Sequence, residues 1–220
     1  MPRHDDATPD LFAEPLPDRE HFAPGAWLLR GFARDAAPGL LDSLPSILAA
    51  APWRRALTPG GKPFSVEMTN CGTRGWVSDA AGYRYTTHDP LGGTGWATMP
   101  ADWLKLAGEA AQTAGYERFR PDACLINRYA PGASMGLHQD RDELDFSAPI
   151  VSVSLGVPAV FLFGGARRGD HRIRIPLTHG DVVVWGGPSR LFFHGIATIK
   201  DGQHPLTAGC RINLTFRKSL

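Results

Sequence analysis

From residue 121 onward the chain leaves no room for a long helix. Short apolar runs follow one another, cut by Gly and Pro: ACLINRY (123–129), PIVSVSLG (149–156), AVFLFGG (159–165), HRIRIPL (171–177), DVVVWGG (181–187), RLFFHG (190–195) and CRINLTFR (210–217). Runs of this length, rich in Val, Ile, Leu and Phe, read as strands, and the breaks read as turns. So many short strands in succession predict a sandwich or a barrel, which hides sheet edges that would otherwise stay unpaired.

The first half is organised differently. Residues 1–24 (MPRHDDATPDLFAEPLPDRE and its continuation) are acidic and Pro-rich and read as a flexible lead-in. Leu40, Leu41, Leu44, Ile47 and Leu48 recur at helical spacing within 35–51, so a helix is expected after Asp35, kinked at Pro45. MPADWLKLAGEAAQTAG (99–115) is the clearest helix. Trp103, Ala107, Ala110 and Ala114 share one face, Pro100 suits the first turn, and Gly115 suits the position after the last one. Between these lies 52–98, rich in Gly, Thr, Arg and aromatics. There FSVEMT (64–69) alternates as a strand with one wet face, within what reads as a small hairpin-like cover that can move. The expected fold class is α+β, mainly β.

Size and charge narrow the options. A chain of 220 residues fits one domain, taken here as 25–220 with 121–218 as its core. The net charge of +1 rules out a strongly basic duplex-coating protein, so any nucleic-acid recognition needs a pocket and a local patch. Three scattered cysteines, Cys71, Cys124 and Cys210, form no CxxC pair, so neither a zinc knuckle nor a disulfide framework is expected. With no membrane-length apolar run and no secretory h-region, the expectation is a cytoplasmic monomer with no membrane partner.

Three His-x-Asp pairs occur: His4/Asp6, His138/Asp140 and His179/Asp181. The first lies in the lead-in, which cannot hold a rigid site. The pair in THGDVVVW, His179/Asp181, reads as a turn opening a strand. His138-Gln139-Asp140 follows a strand and a Gly/Pro turn, and in extended backbone residues i and i+2 point the same way. A third ligand must come from a distant strand. His194 in RLFFHG is the best candidate, with His204 competing, although a lone histidine in such a run is also what a core histidine looks like. Two His and one carboxylate on one face of an octahedron leave three positions open, the arrangement of non-haem Fe(II) oxygenases.

RINLTFR adds a second constellation. On a strand, Arg211, Asn213, Thr215 and Arg217 share one face, and Ile212, Leu214 and Phe216 the other. Two guanidinium forks on one face suit a dicarboxylic acid gripped at both ends. A solvated edge-strand face is the plain alternative. Asn127 and Tyr129 likewise share a face and can donate hydrogen bonds to the same ligand.

PDACLINRYAPGA, HQDRDE, APIVSVSLGVPA, HGDVVVWGG, RLFFHGI and CRINLTFR together closely resemble the AlkB family of alkylated-DNA repair dioxygenases, over almost the whole chain from about residue 10 to Arg217. The resemblance implies a double-stranded β-helix (jelly-roll) core with N-terminal helices, and a nucleotide-recognition lid at 52–98. It implies Fe(II) held by His138, Asp140 and His194. It implies 2-oxoglutarate as co-substrate, with O₂, bound by Asn127, Tyr129, Arg211, Asn213 and Arg217.

The same resemblance implies a base pocket shaped by Trp76, with Met68 and Thr58 in the same segment, Tyr83 at the phosphate or sugar, and His138 stacking on the base. One of Asp142 and Glu143 is expected to meet the exocyclic amine of adenine or cytosine, and Arg168 to serve as a pocket arginine. Arg141, Lys62, Arg74 and Arg84 are candidates for backbone contact. Gly136, Arg141 and Leu144 depart from the family's serine, lysine and proline at those places, and none is a metal or co-substrate ligand.

The implied activity is oxidative demethylation of bases such as 1-methyladenine and 3-methylcytosine, releasing formaldehyde, succinate and CO₂. The low net charge favours single-stranded DNA as partner, with duplex DNA and RNA left open. A 2-oxoglutarate-dependent hydroxylase of a peptide or small molecule is the competing enzyme reading. A base-holding module without catalysis and a purely structural barrel both leave the triad or the arginine face without a purpose.

Overall fold

The computed structural model describes residues 18–220. Two strands come first, β1 (Arg19–Ala23) and β2 (Ala26–Leu29), then helices α1 (Ala37–Asp42) and α2 (Leu44–Ala50). Next come β3 (Glu67–Gly72), the hairpin β4 (Gly75–Asp79) and β5 (Gly82–Thr86), and helix α3 (Ala101–Thr113). The second half holds β6 (Ala123–Tyr129), β7 (Met135–His138), β8 (Ile150–Gly156), β9 (Ala159–Phe163), β10 (Ile173–Leu177), β11 (Val182–Trp185), β12 (His194–Ile196) and β13 (Arg211–Arg217).

Seven strands form one antiparallel sheet in the order β1-β2-β11-β8-β13-β6-β3, and four form a second in the order β10-β9-β12-β7. They face each other as a jelly roll. The interior between them is apolar over most of its depth, where Phe161 meets Trp185 at 5.7 Å between ring centroids. The helices cover the outer face of the large sheet, where Trp103 is fully buried edge-on to Phe216. The central strands are therefore buried on both faces, which is why β8 and β13 contain no exposed residue. On β13, Ile212, Leu214 and Phe216 join the helix-side core. Arg211, Asn213, Thr215 and Arg217 consequently point between the sheets, so the polar face is not solvated.

Helix α3 ends as its sequence requires. Gly115 takes φ +89°, its N–H donates to the Gln112 carbonyl, and the Tyr116 N–H donates to that of Ala111. That is the double bond of a left-handed C-terminal cap, which favours Gly. No described helix is long and apolar enough to cross a membrane.

Four expectations change. The helix expected over 35–51 is two helices that meet at Ser43, with Pro45 in the first turn of α2, where its missing N–H costs nothing. The strand expected at 64–69 runs Glu67–Gly72 instead. On its expected wet face Ser65 is exposed and Glu67 half-buried against Arg128, but Thr69 is buried and donates to the Ala51 carbonyl. RLFF is not a strand. The buried Arg190 side chain donates to the Ala148 and Asp140 carbonyls and turns the backbone inward, so β12 begins only at His194. Residues 1–17, including His4 and Asp6, lie outside the described residues, but Arg19–Ala23 of the expected lead-in is a strand paired with β2. The Arg19 guanidinium sits 3.8 Å over the Trp27 ring, which anchors this edge.

Candidate metal and co-substrate centre

Strand register assembles the first two histidines. His194 at the start of β12 pairs with His138 at the end of β7, and their rings lie 4.4 Å apart. Asp140 follows two residues after His138. Its carboxylate lies 3.6 Å from His138 Nε2 and 3.8 Å from His194 Nε2. One ligand atom from each of the three lies within 4.8 Å of the others, and this is the only such group among the described residues.

Both Nδ1 atoms face carbonyls, that of Gly136 at 2.9 Å for His138 and that of Phe192 at 3.0 Å for His194. A carbonyl can only accept, so Nδ1 carries the hydrogen and Nε2 offers its lone pair to a metal. Burial, with His138 adding to it, pushes His194 down to about 3, so it is neutral near pH 7 as a ligand must be. Burial pushes the Asp140 carboxyl up, but Arg217, the two imidazoles and Arg190 outweigh it and hold the group well below the usual carboxylate range. Arg217 Nη2 and Nε lie 2.7 and 2.9 Å from Asp140 Oδ2.

Beside the triad, a small cavity is lined by Asn127, Tyr129, Ser152, Trp185, Asn213, Thr215 and Arg217. Two buried polar atoms of its lining have no partner, Asn127 Oδ1 and Trp185 Nε1, nor does Nη1 of Arg211, whose guanidinium lies over the ring of the lining residue Tyr129. Arg211 is 1% exposed and donates to the Ser154 hydroxyl at 3.0 Å, with its guanidinium 5.0 Å over the Tyr129 ring. No carboxylate pairs with it among the described residues. Burial pushes Arg211 down from its ordinary value, only partly offset by Tyr129. A buried cation in that position is costly until an anion arrives. The donor set therefore fits a dicarboxylic acid next to a metal. Asn213 is already engaged, donating to the Ser152 hydroxyl and the Val153 carbonyl and accepting from Thr215.

A larger cavity of about 410 Å³ opens over the His138–Asp140 side and is lined by Met68, Trp76, Tyr83, Asp142 and Arg168 among others. Trp76 is fixed at both ends. Its backbone N–H and carbonyl bond the Asn70 side chain at 3.0 Å each, and its indole donates to Asp142 at 2.8 Å. Tyr83 stacks on it at 5.5 Å and 15°. Arg168 reaches the Leu137 carbonyl at 2.8 Å. Thr58 does not line this cavity.

Glu143 is placed otherwise than the sequence suggested. It is 4% exposed and faces inward, accepting from Tyr85 at 2.6 Å and from Arg190 at 3.1 Å, with Arg217 at 3.5 Å. Its lone pairs are spent on the protein, so only Asp142 of the acidic pair faces the cavity. Arg84 is likewise occupied, in a two-pronged pair with Asp79. His179 takes the turn role, its Nδ1 accepting the Gly156 N–H and its ring stacked 4.2 Å from His204, so neither is near the triad. Asp181 closes that turn by accepting from the Gly31 and Thr178 N–H groups.

Tyr85, Asn70 and Arg190 were not singled out from sequence. Tyr85 and Arg190 find their partners in the distant 140–148 segment, where a lone Arg or Tyr carries no spacing signal, and Asn70 bonds the nearby Trp76 backbone, which any polar side chain at that place could suggest equally.

The 2OG-Fe(II) oxygenase superfamily model matches residues 25–217. The chain is 56% identical over 210 residues to the alpha-ketoglutarate-dependent dioxygenase AlkB of Salmonella typhimurium, covering 96% of this chain and 97% of that protein. It is 41% identical over 108 residues to the DNA N(6)-methyladenine demethylase ALKBH1D of Arabidopsis thaliana, covering 44% of this chain and 24% of that protein. The solved structure of OsALKBH1 superposes with a TM-score of 0.80 at 30% identity, covering 91% of this chain and 99% of that one. With the triad, the unpaired buried arginine and these likenesses together, the chain belongs to the 2OG-Fe(II) oxygenase superfamily, in its AlkB family.

Proposed function

We propose that this chain repairs N-alkylated nucleic-acid bases, 1-methyladenine and 3-methylcytosine among them, by oxidative demethylation. The observation that carries the reading is the cavity over the triad, with the indole of Trp76, the carboxylate of Asp142 and the Arg168 side chain lining it. A flipped base needs an aromatic wall, a polar group for its edge and a reacting centre beside it. The cavity supplies all three, and a carboxylate favours bases that present an amino group.

His138, Asp140 and His194 would hold Fe(II). Arg211 would pair with the distal carboxylate of 2-oxoglutarate, with Asn127, Tyr129 and Asn213 alongside. Arg217 would secure the metal-proximal end while keeping Asp140 ionised and aimed. When bound, iron and 2-oxoglutarate supply, with O₂, the oxidising chemistry that hydroxylates an alkyl carbon. The co-substrate then leaves as succinate and CO₂, and the carbon as formaldehyde. The protein's own part is to orient the base and exclude water.

Single-stranded DNA is the preferred partner, consistent with the net charge of +1. The chain acts as a monomer on this reading, and the cytoplasm is the expected compartment. The hairpin β4–β5 with its flanks acts as the recognition lid. The test is incubation of enzyme, Fe(II) and 2-oxoglutarate with methylated oligonucleotides, single- and double-stranded, DNA and RNA. Stoichiometric formaldehyde and restored base are expected. Absence of both on every substrate would refute the reading.

A further inference from the structure

We infer that the turn between β9 and β10 is a phosphodiester track, on which Arg167, Arg172 and Arg174 hold the backbone of the strand whose base occupies the cavity. The inference rests on the action on nucleic acid proposed above.

The placement follows from register. One rung crosses the whole four-stranded sheet: Ile173 pairs with Phe163, Phe163 with His194, and His194 with His138. The turn 164–172 leaves directly from that rung, at the metal end of the barrel. Its first arginine pair straddles the cavity edge, since Arg168 lines the cavity and Arg167 is its exposed neighbour. Arg174 continues outward along β10, which is the free edge of the sheet.

The turn is held in shape. Gly164 N–H donates to the Phe193 carbonyl and Phe193 N–H to that of Gly165. The Asp170 carboxylate accepts the Arg167 N–H at 2.9 Å, and Gly165 has no room for a side chain, since a Cβ there would lie 2.4 Å from Asp170 Oδ2. Asp170 is thus spent on the backbone and not on an arginine.

Charge gives the ligand class. Arg30, Arg54, Arg84 and Arg128 each have a carboxylate partner. Among the described residues no ion pair engages Arg141, Arg167, Arg168, Arg172 or Arg174. In a protein of net charge +1, four exposed arginines within eight residues are a local concentration of cation, and it begins at Arg168 on the cavity wall. A polyanion passing that mouth would release counterions from each phosphate it brings to them.

The experiment is fluorescence anisotropy of an unmodified labelled oligodeoxynucleotide, single-stranded and as a duplex, across a salt series. The variant R167A/R172A/R174A should weaken single-strand binding about tenfold at low salt and lower the log–log salt slope by about 2, near 0.7 for each phosphate no longer neutralised. R167K/R172K/R174K should retain most of both, because lysine binds phosphate as a point charge and counterion release depends on charge. Melting temperature and turnover of the free 1-methyladenosine monophosphate should stay unchanged. Equal binding and equal slope in wild type and alanine variant would overturn the track. A defect seen only with duplex would overturn its assignment to the base-bearing strand. Failure of the function reading looks different: wild type binds with the expected salt slope yet releases no formaldehyde.

Discussion

Arg211 and Glu143 carry opposite charges in the same interior, and they differ in what satisfies them. Glu143 is compensated within the protein by Tyr85, Arg190 and Arg217. Arg211 keeps an unpartnered Nη1 and no acid. The first arrangement stabilises the fold, and the second waits for a ligand. Glu143→Ala removes one partner of a buried cluster and leaves the buried Arg190 guanidinium without a carboxylate, while Arg217 keeps Asp140. It should destabilise the fold by about 3–5 kcal/mol, read by denaturant unfolding, and an effect below about 1 kcal/mol would mean the cluster is not coupled. Trp76→Ala acts at a cavity wall instead. Turnover of a methylated oligonucleotide should fall at least tenfold, while 2-oxoglutarate decay without substrate persists, because the triad and Arg211 are untouched. Equal loss of both activities would place Trp76 in the folding of the site and not in base recognition.

At the level of elements, most of the fold can be traced to short-range pattern. The Gly/Pro-punctuated apolar runs became β6, β8, β9, β10, β11 and β13, and helix α3 lies where Trp103 and its alanine face put it. RLFF failed as a strand because Arg190, in its first position, finds its partners on the 140–148 segment. The split of α1 from α2 at Ser43 follows from Pro45, whose ring fits a first turn better than an interior one. Trp103 ties α3 to the back of β13, the strand whose other face carries Arg211 and Arg217. Trp103→Ala should cost about 3–5 kcal/mol by chemical denaturation. Because the arginine face depends on that packing, affinity for 2-oxoglutarate should weaken too, measured by calorimetry.

For the molecule as a whole, ligand binding and folding are one equilibrium. The triad and Arg211 are close in space only when both sheets are closed, so a divalent metal and 2-oxoglutarate bind the native state and not the unfolded chain. Saturation to about a hundredfold above Kd by a redox-silent metal with 2-oxoglutarate should add about 2.7 kcal/mol and raise Tm by several degrees. His194→Ala should abolish the metal-dependent part of that shift. A shift that survives this substitution would place the metal elsewhere.

The sequence alone determined the residue types and their local alternation: which side chains can ligate, which strand has a polar face, and where helices stop. Those properties depend on neighbours within a few positions, so they can be read along the chain. Only the tertiary structure decided that the RxNxTxR face looks inward, that Glu143 points away from the cavity while Asp142 lines it, and that the arginines of 167–174 stand beside the metal rung. Each of those depends on which strands pair and what covers them. Pairing across dozens of intervening residues leaves no spacing for a single sequence to display.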